Sequence, residues 1–468
     1  MLYPITQGPQ QPGRARDYWG PMITRGVRLG LSAVVFGLSA CASYGPAPLP
    51  DADSMLMAEP LVMRLTPIAH ARLAAAPVDL NGPLSDLDVG RIMLIASPDL
   101  AALRERVGVG QAQLLAAGIL PDPQLSLSLD RPIGLGMVNA FGAGMAIDLA
   151  SLLTRVPRQD AARSSLQQIR QDLGWSEWLA INQARTLVRR LGFLERQQAL
   201  VDAAVEVARK ILTVYRNNLQ SGDARLDDVS LYQVAFIDAQ DRSLALARSR
   251  EAARLQLNAL VGLLPSTVLE LEPASDLHPL DALEVIDLAR RGLRSRLDLQ
   301  ALRAGYAAQE ANVRASVAVS LPLPQLALNR NRDFSSIWSS GVAATLSLPL
   351  WNRNRGDIAI AEATRAQLAA EYRARIRQMH ADIAGLSADL AALDRERNAL
   401  AAELPELRRA AQTLSTASRQ GSVPLVTYET IRAALLDKEL TFLALQQARA
   451  EGEIALEAAV GEFLWEPR

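Results

Sequence analysis

Apolar residues recur along this chain with two different periods. In four short stretches they fall at every second position. Leu125, Leu127 and Leu129 alternate with Ser126 and Ser128 between Gln124 and Asp130. From about 139 to 149, Phe141, Ala143, Met145, Ile147 and Leu149 share one face, and Gly142, Gly144, Ala146 and Asp148 the other. Leu326 and Leu328 alternate with Gln325, Ala327 and Asn329 over about 324–330. Val342, Ala344, Leu346, Leu348 and Leu350 alternate with Ala343, Thr345, Ser347 and Pro349 over about 341–350. A period of two predicts strands with one apolar and one polar face. Pro349 marks where the last of them stops, because proline cannot donate to a ladder.

Elsewhere the period is that of long helices. Leu166, Leu173, Ala180, Leu187, Leu194, Val201, Ala208 and Tyr215 form a row spaced by seven. Tyr372, Met379, Leu386, Leu393, Leu400, Leu407 and Leu414 form another. Ile376, Ile383, Leu390, Leu404 and Ala411 run beside it, interrupted by Arg397. A sustained spacing of this kind specifies coiled-coil seams. Pro405 removes one backbone bond and predicts a local kink. About 60 helical residues span roughly 90 Å, far more than a compact domain needs.

The two patterns are written twice. Pro98–Arg104 matches Leu297–Arg303, Pro121–Leu125 matches Pro322–Leu326, Gln220–Gly222 matches Arg419–Gly421, and Leu257–Gly262 matches Leu456–Gly461. Four anchors in order at one offset predict an internal duplication. The first repeat is placed at 84–264 with a hairpin tip near 222. A linker rich in proline follows at 265–280. The second repeat is placed at 281–464 with its tip near 421. Each repeat reads helix, two strands, long helix, turn, long helix.

Composition narrows the class. Net charge is −1, which disfavours nucleic-acid binding through bulk charge. Hydrophobic residues are 49% but aromatics only 4%, the Ala/Leu economy of long helices. One cysteine excludes an intrachain disulfide and a Cys-based zinc site. His70, His278 and His380 are far apart, and no metal site is expected. The sequence has no phosphate loop, no HExxH and no Ser/His/Asp or Cys/His arrangement, so no enzyme is expected.

Residues 1–40 carry Arg14, Arg16, Arg25 and Arg28 ahead of an apolar run from Leu29 to Ala40. The run is too short to span a bilayer and reads as a secretory signal. Leu38-Ser39-Ala40-Cys41 resembles a bacterial lipobox, so Cys41 is the expected lipidation site, carrying a covalent lipid such as palmitate. Beyond that lipid no cofactor is expected. Ala42 after the cysteine implies sorting to the outer membrane. Residues 41–83, rich in Pro and Ala, read as a lipid-anchored tether.

Strands of about 7 to 11 residues with one apolar face suit the wall of an outer-membrane barrel. A sheet in hydrocarbon must close, and four strands are too few. The barrel must therefore be shared between chains, about eight strands from two or about twelve from three.

These residues resemble the TolC-like outer-membrane efflux proteins over roughly Leu84 to Leu464. The resemblance rests on six features. They are the Pro121–Leu125 strand entry, the Leu348–Gly356 turn, the tips Ser221-Gly222-Asp223 and Gln420-Gly421-Ser422, and the two Val-Gly helix ends. It implies a mostly α fold with a membrane β-barrel: a homotrimeric, 12-stranded barrel continued by an α-helical periplasmic tunnel. It implies the exit duct of a tripartite efflux system, a passive conduit that docks a periplasmic adaptor and an inner-membrane pump. Gly222, Asp223, Leu226, Gly421, Ser422 and Leu425 are the expected docking residues at the hairpin tips. Some members close the periplasmic mouth with two aspartates after the second tip glycine; here Thr427 and Thr430 stand there, with Glu429 between. A polar ring of Asp227, Asp228, Thr427, Glu429 and Thr430 is the substitute considered. The Leu348–Gly356 turn looks most like members serving heavy-metal pumps, so cargo is metal ions or organic compounds. The alternatives are a periplasmic coiled-coil structural lipoprotein and a type I protein-secretion duct.

Overall fold

The chain divides into two units, Met1–Glu59 and Pro60–Arg468. A computed structural model describes residues 44–53 of the first, and residues 82–134, 136–273 and 284–465 of the second. Residues 44–53 are exposed. Cys41, the signal segment, most of the tether and residues 274–283 of the linker and second-repeat start lie outside the described residues.

The second unit is two copies of one theme. The first comprises α1 (Asp86–Ala96), α2 (Pro98–Gly118), β1 (Gln124–Asp130), β2 (Ala140–Asp148), α3 (Leu149–Ser221) and α4 (Leu226–Val261). The second comprises α5 (Val285–Ser295), α6 (Leu297–Val319), β3 (Pro324–Arg332), β4 (Trp338–Leu346), α7 (Arg355–Arg419) and α8 (Leu425–Val460).

Each strand pair is preceded by two helices, where the sequence pattern showed one. Ser97 ends α1 in an extended conformation and caps α2, whose first residue is Pro98. Proline at that position loses no helical bond. Arg296 takes the matching place between α5 and α6. Gly262 and Gly461 then close α4 and α8 in the left-handed conformation, with φ of 83° and 84°. A Cβ on Gly262 would lie 2.9 Å from the Ala96 carbonyl, and one on Gly461 2.9 Å from Arg296 Cγ. The two Val-Gly ends thus seat against the two helix junctions, and only glycine fits both the angle and the space.

Three strand boundaries differ from those expected. β2 ends at Asp148, whose carboxylate caps α3 through the Ala150 N–H at 3.0 Å, so Leu149 is helical. β3 runs on to Arg332 because Asn331 and Arg332 still pair with strands on both sides. β4 is Trp338–Leu346 in place of about 341–350. Ser339, Ser340 and Gly341 continue the ladder toward the hairpin, and the strand stops before Pro349.

The long helices run unbroken through Pro157 and Pro405. Buried Met379, Ile383, Leu390, Leu404 and Ala411 trace the seam of α7. Where Arg397 interrupts that row, an ion network replaces apolar contact. Asp394 accepts from Arg397 at 3.3 Å and from fully buried Arg449 at 3.1 Å, and Arg449 also reaches Glu453 at 2.5 Å.

One apolar core joins α1, α3 and α4 to the chain's last described turn. Trp178 meets the Phe463 ring edge-on at 5.0 Å and donates its indole N–H to the Ala458 carbonyl at 3.3 Å. A second core joins α5, α6, α7 and α8. Among the described residues no helix is long and apolar enough to cross a membrane.

Candidate functional site

The four strands form one antiparallel sheet in the order β1-β2-β3-β4. The two hairpins join along β2 and β3, with Met145 opposite Leu328. Register sorts the side chains by polarity over the part of the sheet nearer the helices. Leu125, Met145, Leu328 and Val342 form one cross-strand row, and Ile147, Leu326 and Ala344 the next. The other face carries Ser126, Ser128, Asp130, Gly142, Gly144, Asn329, Asn331, Gly341 and Thr345.

The two faces also differ in bulk. A Cβ on Gly142 would lie 2.4 Å from Ser128 Oγ and 2.9 Å from Asn331 Oδ1. One on Gly144 would lie 2.4 Å from Asn329 Oδ1 and 2.7 Å from Ser126 Oγ. The glycines leave room for polar neighbours to fold over them. Small residues on the polar side and Leu, Met and Phe on the other favour curvature toward the polar side. A barrel with a hydrated lumen and a lipid-facing wall requires that distribution.

Far along the helices, both hairpin tips share one closing motif. At the first, the Asp223 N–H donates to the Asn218 carbonyl at 2.7 Å, and Gly222 has φ 85°. At the second, the Ser422 N–H donates to the Ala417 carbonyl at 2.9 Å, and Gly421 has φ 74°. This six-to-one bond with a left-handed glycine is a Schellman closure. Asp223 also accepts from Ser221 Oγ at 2.8 Å.

The tip residues do not all face outward. Gly222, Asp223, Gly421 and Ser422 are exposed, and Leu226 is 69% exposed. Leu425 packs instead against the first hairpin's cluster of Leu212, Val229 and Tyr232. The second tip is thereby fastened to the first.

The five residues considered for a polar ring separate likewise. Asp227 and Thr427 are exposed, and Asp227 pairs loosely with Arg225 at 3.3 Å. Thr430 spends its hydroxyl on the Val426 carbonyl of its own helix. Asp228 and Glu429 are half-buried, and the charges of both oppose the ionisation of Tyr232. Burial first, then Tyr215, whose ring centre is 4.4 Å away, pushes the Tyr232 phenol well above its ordinary range. Glu429 is raised above the usual carboxylate range by burial, against the opposing pull of Arg432 at 2.9 Å. Arg432 in turn donates to the Ala204 carbonyl of α3 at 2.9 Å. Tyr215, Tyr232, Glu429 and Arg432 thus make a compact knot between the hairpins. The sequence pattern marked Tyr215 and Glu429 but missed Tyr232 and Arg432. Its one available signal was a second tyrosine near the helix start.

Comparisons with known proteins agree with this arrangement. The family model described as outer membrane efflux protein matches residues 288–462, most of the second repeat. The chain is 26% identical over 395 residues to the pyoverdine export outer membrane protein OpmQ of Pseudomonas putida, covering 78% of this chain and 83% of that one. In fold it resembles CusC at a TM-score of 0.69 and 17% identity, covering 90% of this chain and all of CusC. It also resembles the open-state MtrE outer membrane channel of Neisseria gonorrhoeae at 0.66 and 18% identity, covering 80% and 88%. These proteins are channels rather than enzymes. With a two-faced sheet, a duplicated helical frame and a family match over most of the second repeat, the chain is similar to the outer-membrane efflux proteins in both sequence and fold.

Proposed function

We propose that three copies of the chain close one barrel, β4 of each copy pairing with β1 of the next. The helical hairpins then carry the same bore into the periplasm. The sheet carries this reading. β1 and β4 are each paired on one side only, and the face between them is apolar on one side and polar on the other. Hydrocarbon tolerates no open sheet edge, so the edges must meet those of other copies. Three copies supply a barrel wide enough for solutes, which two do not.

The duct is passive in this reading. A periplasmic adaptor docks on the exposed tips around Gly222, Asp223, Leu226, Gly421 and Ser422, and an inner-membrane pump supplies the energy. Cys41 carries the lipid that anchors the N-terminus. An organic solute is the cargo that the relative named for pyoverdine export supports; metal ions are the cargo that the Leu348–Gly356 turn supports.

Planar-bilayer recordings of purified protein test the duct directly. Discrete single-channel steps from a species of three copies are expected. A monomer that never conducts would sink the reading. For cargo, a strain lacking the gene should lose tolerance to organic compounds and keep tolerance to heavy metals; the reverse pattern would assign metal ions.

A further inference from the structure

The lipid-facing side of the sheet is not apolar throughout. Register puts Arg330 on the same face as Leu326 and Leu328, opposite Ala143 and Ser340. Arg332 follows on that face, opposite Phe141 and Trp338. The two lie about 7 Å apart along the strand. Both sit at the end of the sheet remote from the helices, since β3 leaves α6 at Pro324 and ends at Arg332.

Their surroundings hold them in place without neutralising them. The Arg330 guanidinium lies over the Trp338 ring, 5.2 Å from its centre. Arg332 donates to Ser336 Oγ at 3.0 Å. Among the described residues neither has a carboxylate within ion-pair reach. Asp130 lies on the opposite face by register, and Asp333 accepts the backbone N–H groups of Ser335 and Ile337 at 2.8 and 2.9 Å.

Exposed Trp338, Phe141 and Phe334 stand at this same end. Aromatic residues on a barrel's outer surface mark the level of the lipid headgroups. Arginine on a lipid face is costly at the midplane but tolerated at that level, where its head reaches the interface. Below the arginines the face is Leu328, Met145 and Val342. One amphiphile would therefore touch both, phosphate above and acyl chain below.

We propose that Arg330 and Arg332, held by Trp338 and Ser336, dock the phosphate groups of a phosphorylated glycolipid in the outer leaflet. This rests on the barrel reading above. A guanidinium matches a phosphate with two parallel hydrogen bonds, which a lysine ammonium does not reproduce. The apolar band directly beneath selects a lipid phosphate over a soluble one.

The test uses the full chain in nanodiscs of zwitterionic lipid containing lipopolysaccharide, either intact or with its lipid phosphates removed enzymatically. Native mass spectrometry counts the glycolipid retained per chain. Wild type is expected to retain the intact form at least about tenfold better than R330Q/R332Q. The dephosphorylated form should be held equally weakly by both, and R330K/R332K should fall between. Equal retention by wild type and R330Q/R332Q, or retention indifferent to the phosphates, would overturn the proposal. If the double variant fails to assemble, the single variants R330Q and R332Q are read in the same way. Conductance of the same samples separates the two ideas. A non-conducting wild type defeats the duct, whereas a conducting R330Q/R332Q variant that has lost its glycolipid supports the site.

Discussion

At the scale of single residues, the structure turns on buried charges and backbone angles that hydrophobic patterning does not register. Arg185 is buried and donates to Glu457 at 2.6 Å and to Asn182 at 2.9 Å, with Phe463 beneath its guanidinium at 5.1 Å. Glu457 also accepts the Leu464 N–H at 3.0 Å, so it ties the chain's last described turn to α3. Arg185→Met would strand that carboxylate. A loss of about 3–5 kcal/mol is expected in denaturant unfolding, typical of breaking a buried pair on one side. Gly461→Ala is expected to cost about 1–3 kcal/mol, since its φ of 84° suits no side chain and Arg296 fills the space. The duplication did point to these places, because Val-Gly recurs at both helix ends. It gave no sign that Glu457 and its counterpart Asn258 are buried caps for the turns that follow. Asn258 donates to the Leu264 and Thr267 carbonyls at 3.1 and 2.8 Å, whereas Glu457 accepts from backbone N–H groups. The same position does the same job with opposite hydrogen-bond polarity.

At the scale of elements, the heptad rows were legible because burial along a long helix repeats. Leu166, Leu187, Leu194, Val201 and Ala208 of the first row are buried, and Ile383, Leu390, Leu404 and Ala411 of the row beside Arg397 are too. What the rows could not give is the partner. The gap at Arg397 is filled from α8 by Arg449, and the tip of α8 leans on α3 and α4 through Leu425 and Arg432. Leu390→Ala should cost about 2–5 kcal/mol by thermal unfolding, as for any well-packed leucine.

The tip knot should respond to pH, and its sign is set by Glu429. Burial raises its pKa in the folded state above the unfolded value. The folded tip therefore binds a proton more readily, and its stability is greatest at acid pH. That extra stability is lost as pH rises from the ordinary carboxylate value through the raised one. Hydrogen exchange at residues 425–436, corrected for intrinsic rate, should quicken over that interval in wild type. Glu429→Gln should flatten the response; an unchanged profile in that variant would place the titration elsewhere.

At the scale of the whole molecule, two adjacent residues separate the channel from any soluble sheet. Leu125 and Ser126 lie on opposite faces of β1, one in the apolar row with Met145, Leu328 and Val342, the other over Gly144. In a soluble sheet an arginine at either exposed position is tolerated alike, because both faces meet water. In a membrane barrel the two substitutions diverge. Leu125→Arg places a charge against hydrocarbon, costing about 2–4 kcal/mol near the midplane in every copy, so far less assembled protein should reach the outer membrane. Ser126→Arg places the same charge in the bore, where water and counter-ions reach it. It should assemble normally and shift the reversal potential toward anions, because a ring of fixed positive charge raises the local anion concentration. The strand pattern was readable from alternation alone, since every second residue changes solvent. Which solvent each face meets was not, because Leu beside Ser looks the same against lipid as against a protein core. Two substitutions one residue apart, compared for assembly and ion selectivity, decide it: equal tolerance of both would leave a water-facing sheet and no barrel.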